Sequence, residues 1–186
     1  MDLSKTLTIY GRKPVLEALN DTALSPQRLH LADSNKPGGI VSQIETAAKK
    51  HDISIAYHDR LALSRISKNG KQDQGVALDL LCPNYSTLEE LLSKRAEEPD
   101  KPFRGLLLDG ITNPQNVGMI IRSGCAAGID AIFYPKKSVA ALGPLVITAS
   151  VGTAFRAPTI FCDDALSCVK SLQSADIPVP VMDTHA

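Results

Sequence analysis

The stretch LLLDGITNPQNVGMIIRSGCAAGID, residues 106–130, decides how the chain is read. A short apolar strand ends at Asp109 and a loop carrying Pro114 follows. Asn116 is expected to open a helix as its N-cap, because a short polar side chain can accept from first-turn amides that have no partner in the helix. Within that helix Val117, Ile120, Ile121, Gly124 and Ala127 share one broad face, while Gly118, Arg122 and Cys125 fall on another. Gly128 is expected just past the end, where a left-handed residue closes a helix. Interior glycines cost roughly 1 kcal/mol each relative to alanine, so two in one helix imply that something approaches the backbone closely. Open parallel sheets keep their ligand crevice beyond the carboxyl ends of the strands, and Arg122 is expected to border it.

Outward from this stretch the pattern repeats. From residue 103 onward the strand-like runs GLLLD, AIFYP, APTIF and IPVPVMD alternate with helices expected to start near Asn116, Ser138 and Asp163. That order predicts parallel strands joined by right-handed crossovers. Upstream, KPVLEAL, GGIVSQIETAAKKH and DRLALSRIS read as helices, and RLHLAD, ISIAY and GVALDLL read as strands. The reading is therefore an α/β chain: a small α/β domain over 1–82, a linker over 83–102, and a parallel-sheet, Rossmann-like domain over 103–186. The linker contains a charged helix capped by Ser86 or Thr87 and stopped by Pro99 and Pro102.

Composition limits the function classes. With 44% hydrophobic and 22% charged residues over 186 positions, the chain reads as soluble and globular. Lys+Arg and Asp+Glu are equal at 20 each, yet residues 1–78 hold 11 basic against 8 acidic side chains, a mild excess that suits contact with phosphates. Candidate contacts are Arg12 and Lys13 after Gly11, and Arg65, Lys68 and Lys71 around Gly70; Lys136 and Lys137 rank lower. Cys82, Cys125, Cys162 and Cys168 form no C-x-x-C pair and are expected to be reduced core residues. His30, His51, His58 and His185 show no metal-ligand spacing, so no metal is expected and a structural or surface role is. No apolar run is long enough to span a membrane and no signal segment opens the chain, so a cytoplasmic protein is expected. The absence of a Gly-rich phosphate loop after any strand argues against a nucleotide-dependent enzyme.

The set N-P-x-N-x-G-x-I-x-R-S following L-D resembles the first signature motif of the SpoU/TrmH family of RNA ribose methyltransferases, in the knotted SPOUT class. YGRKPVLEAL, QGVALDLL and SVGTAFRAP extend the resemblance along nearly the whole chain. It implies transfer of a methyl group from S-adenosylmethionine to a ribose 2′-hydroxyl of structured RNA, ribosomal or transfer, by a homodimer. Arg122 and Asn116 match the family's catalytic arginine and asparagine, and the first domain would be the RNA-binding module, similar to ribosomal kink-turn binders. The family's later N-E-x-x-G and Ser-Leu-Asn-Val-Ser motifs are not found. The resemblance therefore implies a C-terminally incomplete methyltransferase domain that lacks its knot. The main donor-binding segment is expected after Ala186, so no cofactor-binding residue is assigned before it. A non-catalytic RNA-binding protein derived from the family is the alternative.

Overall fold

The computed structural model describes residues 5–182, and the chain divides between Pro83 and Asn84 into two compact units. The first is a four-stranded sheet with three helices. β1 (Thr6–Tyr10), β2 (Ser25–Ala32), β3 (Ser54–His58) and β4 (Val76–Leu81) are ordered β1-β4-β2-β3. β4 runs antiparallel to both neighbours, and β2 and β3 are parallel. The helices α1 (Arg12–Asn20), α2 (Gly39–Lys50) and α3 (Arg60–Ser67) lie at the three helical patterns. β1, unrecognised in the sequence, is an edge strand only five residues long.

Alternation along the strands sorts the side chains. Leu7, Ile9, Leu29, Leu31, Leu78 and Leu80 share one buried face, as the register Ile9↔Leu78↔Leu29 requires. Thr8, His30, Ala32, Ala77 and Asp79 point the other way, where Leu63 of α3 packs on Ala32 and Ala77.

The second unit is a parallel sheet in the order β5-β8-β7-β6, built from β5 (Ser86–Thr87), β6 (Gly105–Leu107), β7 (Ala131–Pro135) and β8 (Thr159–Cys162). All five residues of β7 are buried, which is what an uninterrupted apolar run means in a strand covered on both sides. Ile132 and Tyr134 face Val117 and Ile121 of α5 (Pro114–Ala126) and Val146 of α6 (Pro144–Ala149). Ala131 and Phe133 face the opposite layer, formed by Leu88, Leu91 and Leu92 of α4 (Leu88–Glu97) and by Cys168 and Leu172 of α7 (Ala165–Ser174).

Four expectations change. The segment 83–102 is no bare linker: β5 pairs with β8, Tyr85 is buried with its hydroxyl donating to the Ala154 carbonyl (2.9 Å), and α4 covers the sheet. The capping reading there holds, since Thr87 and Glu90 form a reciprocal capping box. Residues 136–143 form a loop, and α6 starts at Pro144 instead of near Ser138. IPVPVMD forms no strand over residues 177–182, where Pro178 and Pro180 lack the amides a ladder needs. Finally, α5 starts at Pro114, so Asn113 is its cap and Asn116 lies inside the first turn. His185 and Ala186 lie outside the described residues, and with them the expected junction to a donor-binding segment after Ala186. Cys82, Cys162 and Cys168 are buried thiols and Cys125 a half-buried one. No helix among the described residues is long and apolar enough to cross a membrane.

Candidate functional site

The strand ends of the second unit are shaped by short polar links. Asn113 Oδ1 accepts from the amides of Gln115 (2.8 Å) and Asn116 (3.3 Å), and Pro114 at the first helical position needs no acceptor. Helix α5 is thereby started with a fixed entry angle directly after the loop from Asp109. That loop is tied to the next: Ser138 Oγ donates to Asp109 Oδ1 (3.1 Å), and the Ala140 amide donates to the Ile111 carbonyl (2.9 Å). Lys136 Nζ reaches Asp163 Oδ1 (2.9 Å), joining the ends of β7 and β8. Asp163 and Lys136 are both well exposed, so this pair orders loops more than it stabilises the fold.

Asn116 and Arg122 are both exposed on α5, and neither side chain makes a hydrogen bond or ion pair with the described residues. Gly118 does not lie open beside Arg122. It is buried beneath α6, where an added Cβ would meet Ala149 Cβ at 2.5 Å and the Val146 carbonyl at 2.7 Å. The close approach inferred from the glycines is that of a neighbouring helix of the same unit. Gly128 does sit just past the helix with a left-handed φ of 68°.

In the first unit a buried carboxylate organises the Lys68–Gln74 loop. Asp73 is fully buried and accepts from Arg60 Nη1 (2.6 Å), Ser67 Oγ (2.9 Å) and the Gly75 amide (2.9 Å), while Arg60 Nη2 donates to the Gly70 carbonyl (2.8 Å). Lys68, a left-handed residue at the end of α3, and Lys71 are thus held out on a preformed turn. Arg12 is partly engaged in the fold, its Nε donating to the Gln74 carbonyl (3.2 Å) and its Nη2 to Asn35 Oδ1 (3.3 Å). Lys13 and Arg65 are exposed. Arg12 is joined to the Lys68–Gln74 loop through Gln74, and the same loop is tied to the end of β1 by Asn69 Nδ2, which donates to the Tyr10 hydroxyl (2.9 Å). Replacing Asp73 by Asn should cost about 1.5 kcal/mol, the scale of hydrogen bonds to a charged group, and release the turn. Urea unfolding measures the first effect; faster exchange of the Gly75 and Val76 amides measures the second.

The sequence reading missed Asp73, Arg60, Asn113 and the Ser138–Asp109 link. Only Asn113 had a legible signal, because a cap residue directly before proline marks a helix start better than an asparagine three residues later. No cluster of His, Cys, Asp and Glu that could hold a metal occurs among the described residues.

Comparison with known proteins matches each unit. Residues 104–186 match the model of the SpoU rRNA methylase family, and residues 8–85 match that of the RNA 2′-O ribose methyltransferase substrate-binding domain. A Mycolicibacterium vanbaalenii protein, described as an uncharacterized tRNA/rRNA methyltransferase, is 30% identical over 179 residues, covering 96% of this chain and 56% of the relative. A Bacillus subtilis protein named for the TrmH family of tRNA/rRNA methyltransferases is 29% identical over 179 residues, covering 96% of this chain and 70% of its own. The chain thus spans little more than half the length of the first of these relatives. Among solved structures, an rRNA methyltransferase from Sinorhizobium meliloti with AdoMet bound superposes at a TM-score of 0.50 and 21% identity, over 94% of this chain and 60% of that one. That likeness concerns the fold: a mixed α/β chain with a parallel second sheet. The two units thus match the methylase and the substrate-binding models of the SpoU family, and relatives named as tRNA/rRNA methyltransferases, one of them for the TrmH family, align along nearly all of the chain.

Proposed function

We propose that this chain carries the RNA-reading unit and the first catalytic motif of an S-adenosylmethionine-dependent ribose 2′-O-methyltransferase. Its substrate would be structured ribosomal or transfer RNA, and the working protein a cytoplasmic homodimer. The observation that carries the reading is the pair Asn116 and Arg122, exposed and unengaged on a helix that a capped Asn-Pro start fixes at the carboxyl end of a parallel strand. Polar side chains kept free of the fold on a rigid element are available to a ligand.

The loop after β6 suits a cationic methyl donor chemically: Ser138 engages one carboxylate oxygen of Asp109, the other is left to a ligand, and Gly110, with a φ of 65° and nothing within 4 Å of an added Cβ, leaves open space beside it. When bound, S-adenosylmethionine supplies an electrophilic methyl group. The chain's residues do the rest: they hold the ribose hydroxyl in line with that methyl and stabilise charge on the oxygen as its proton leaves. Arg122 is a permanent cation and a poor base. It fits a clamp on the neighbouring phosphate and on the developing alkoxide, while the Asn116 amide, donor and acceptor at once, orients the hydroxyl.

The first unit would meet RNA through Arg12, Lys13, Arg65, Lys68 and Lys71, mainly at the phosphate backbone. Disrupting the gene and mapping ribose methylation across ribosomal and transfer RNA tests the proposal. One or a few positions should lose protection of the adjoining phosphodiester from alkaline cleavage, and regain it when the gene is restored. An unchanged map together with salt-sensitive RNA binding by the purified chain would replace catalysis with RNA binding alone.

A further inference from the structure

The turn that presents Lys68 and Lys71 contains the pair Asn69–Gly70, and no other asparagine of the chain precedes a glycine. Both residues are partly exposed, and the Gly70 amide donates to no group among the described residues. With no Cβ on its own residue, that nitrogen is open to the Asn69 side chain. The fold fixes both members of the pair. A Cβ at residue 70 would meet Ser64 Cβ at 2.5 Å, so glycine is what lets α3 and the turn approach each other. Asn69 Nδ2 donates to the Tyr10 hydroxyl (2.9 Å) and to Gln72 Oε1 (3.2 Å), and a carboxylate in its place would have no proton to give to either.

The same contacts hold a reaction back. For the Gly70 nitrogen to reach Asn69 Cγ, the carbonyl and the side chain of Asn69 must both turn out of their present places. The carbonyl accepts from the amides of Gln72 (2.9 Å) and Asp73 (3.0 Å), and the carboxamide is held by its own two bonds. Asp73 is in turn anchored by Arg60, Ser67 and the Gly75 amide. Opening of the turn therefore precedes ring closure, and the Asp73 anchor sets how often the turn opens.

We propose that Asn69–Gly70 is a site of spontaneous deamidation whose rate is set by the Asp73 anchor. The Gly70 nitrogen bonds to Asn69 Cγ and gives up its proton, the bond from Cγ to Nδ2 breaks, and ammonia leaves with that proton. Water then opens the succinimide at one carbonyl or the other, giving aspartate or isoaspartate. Either product puts a carboxylate into the turn that carries Lys68 and Lys71, and Gln72 Oε1 loses its donor. Isoaspartate also adds a methylene to the main chain before Gly70 and makes the carbonyl that Gln72 and Asp73 hold part of the new carboxylate. The consequence for RNA rests on the function proposed for this unit; the modification does not.

The test incubates the whole folded chain at mildly alkaline pH and follows its fragments by mass spectrometry. An amide that becomes a carboxyl gains mass, whereas isomerisation at Asp109–Gly110 does not. Asn69 should convert ahead of every other asparagine, and more slowly than in the chain unfolded in urea. Asp73→Asn should convert about tenfold faster than wild type, the factor that corresponds to weakening hydrogen bonds to a charged group. If that variant does not fold, Ser67→Ala, which removes one donor to the same carboxylate, should convert about fivefold faster. Asn69 intact in the folded chain while other asparagines convert, or converting there as fast as in the loosened variant and in urea, would overturn the proposal. RNA binding is read separately: Asn69→Asp should bind structured ribosomal RNA fragments about threefold more weakly than wild type at low salt, and the difference should shrink as salt rises. Equal binding by Asn69→Asp and wild type would cut the link from the modification to RNA, whereas no binding by the wild-type chain would count against the function proposed for the unit and not against the site.

Discussion

Replacing Arg122 with Ala in the protein expressed from its own gene is expected to lower the initial rate of methyl incorporation into target RNA by about 100- to 1000-fold, with the melting temperature unchanged. The two halves of this expectation rest on separate grounds. Stability should not change because the guanidinium is exposed and makes no hydrogen bond or ion pair with the described residues, so its removal leaves no buried group unpaired. Rate should change because a charge aimed at a developing oxyanion contributes roughly 3 kcal/mol in the transition state and little in the ground state. Arg122→Lys keeps the charge but not the planar fork, and should recover only part of the loss. A rate within about tenfold of wild type for Arg122→Ala would remove the residue from the catalytic role. A loss of rate matched by a loss of stability would make its role structural.

The helices and buried strands were legible because their periodicity was strong. β7 was the clearest case, five apolar residues ending at Pro135, and the buried polarity of β2 was partly visible in RLHLAD, with His30 between two core leucines. What could not be read was set by distant partners. β5 is two residues long and exists because β8 offers it a parallel edge, so nothing local separates it from a loop. The stretch 136–143 has helix-compatible residues, yet its groups are taken up by Asp109, Ile111 and Asp163. Asp73 looked like one surface acid among many, and only the fold brings Arg60, Ser67 and Gly75 around it. The site divides in the same way. Asn116 and Arg122 could be singled out because their motif is local, as is the Asn113–Pro114 start that fixes their helix, while the links that hold the loop before it come from Ser138 and Ala140, beyond the next strand.

Gly118 is where the close approach expected from the sequence finds its partner, and a pair of substitutions tests it. The sequence reading took its missing side chain as a sign that something comes near the backbone; in the fold that something is α6. Gly118→Ala should destabilise the second unit by about 3 kcal/mol, even though alanine in a helix interior is favoured by about 1 kcal/mol. The reason is what the new methyl meets: Ala149 Cβ at 2.5 Å, the Val146 carbonyl at 2.7 Å and the Ser150 amide nitrogen at 2.9 Å. Two of these are backbone atoms in a helix that cannot yield one at a time, so α5 and α6 must separate along their whole contact. Gly124→Ala is the control on the same helix. Its new methyl would lie 3.1 Å from Ile129 Cδ1, the far end of a flexible side chain, and the cost of that contact should roughly cancel against the gain in propensity. For a unit of this size the 3 kcal/mol difference corresponds to a melting temperature lower by about 12 °C or more. Equal melting temperatures for the two variants would mean that α6 does not press on Gly118, and that the glycine is kept free for the RNA or the methyl donor after all.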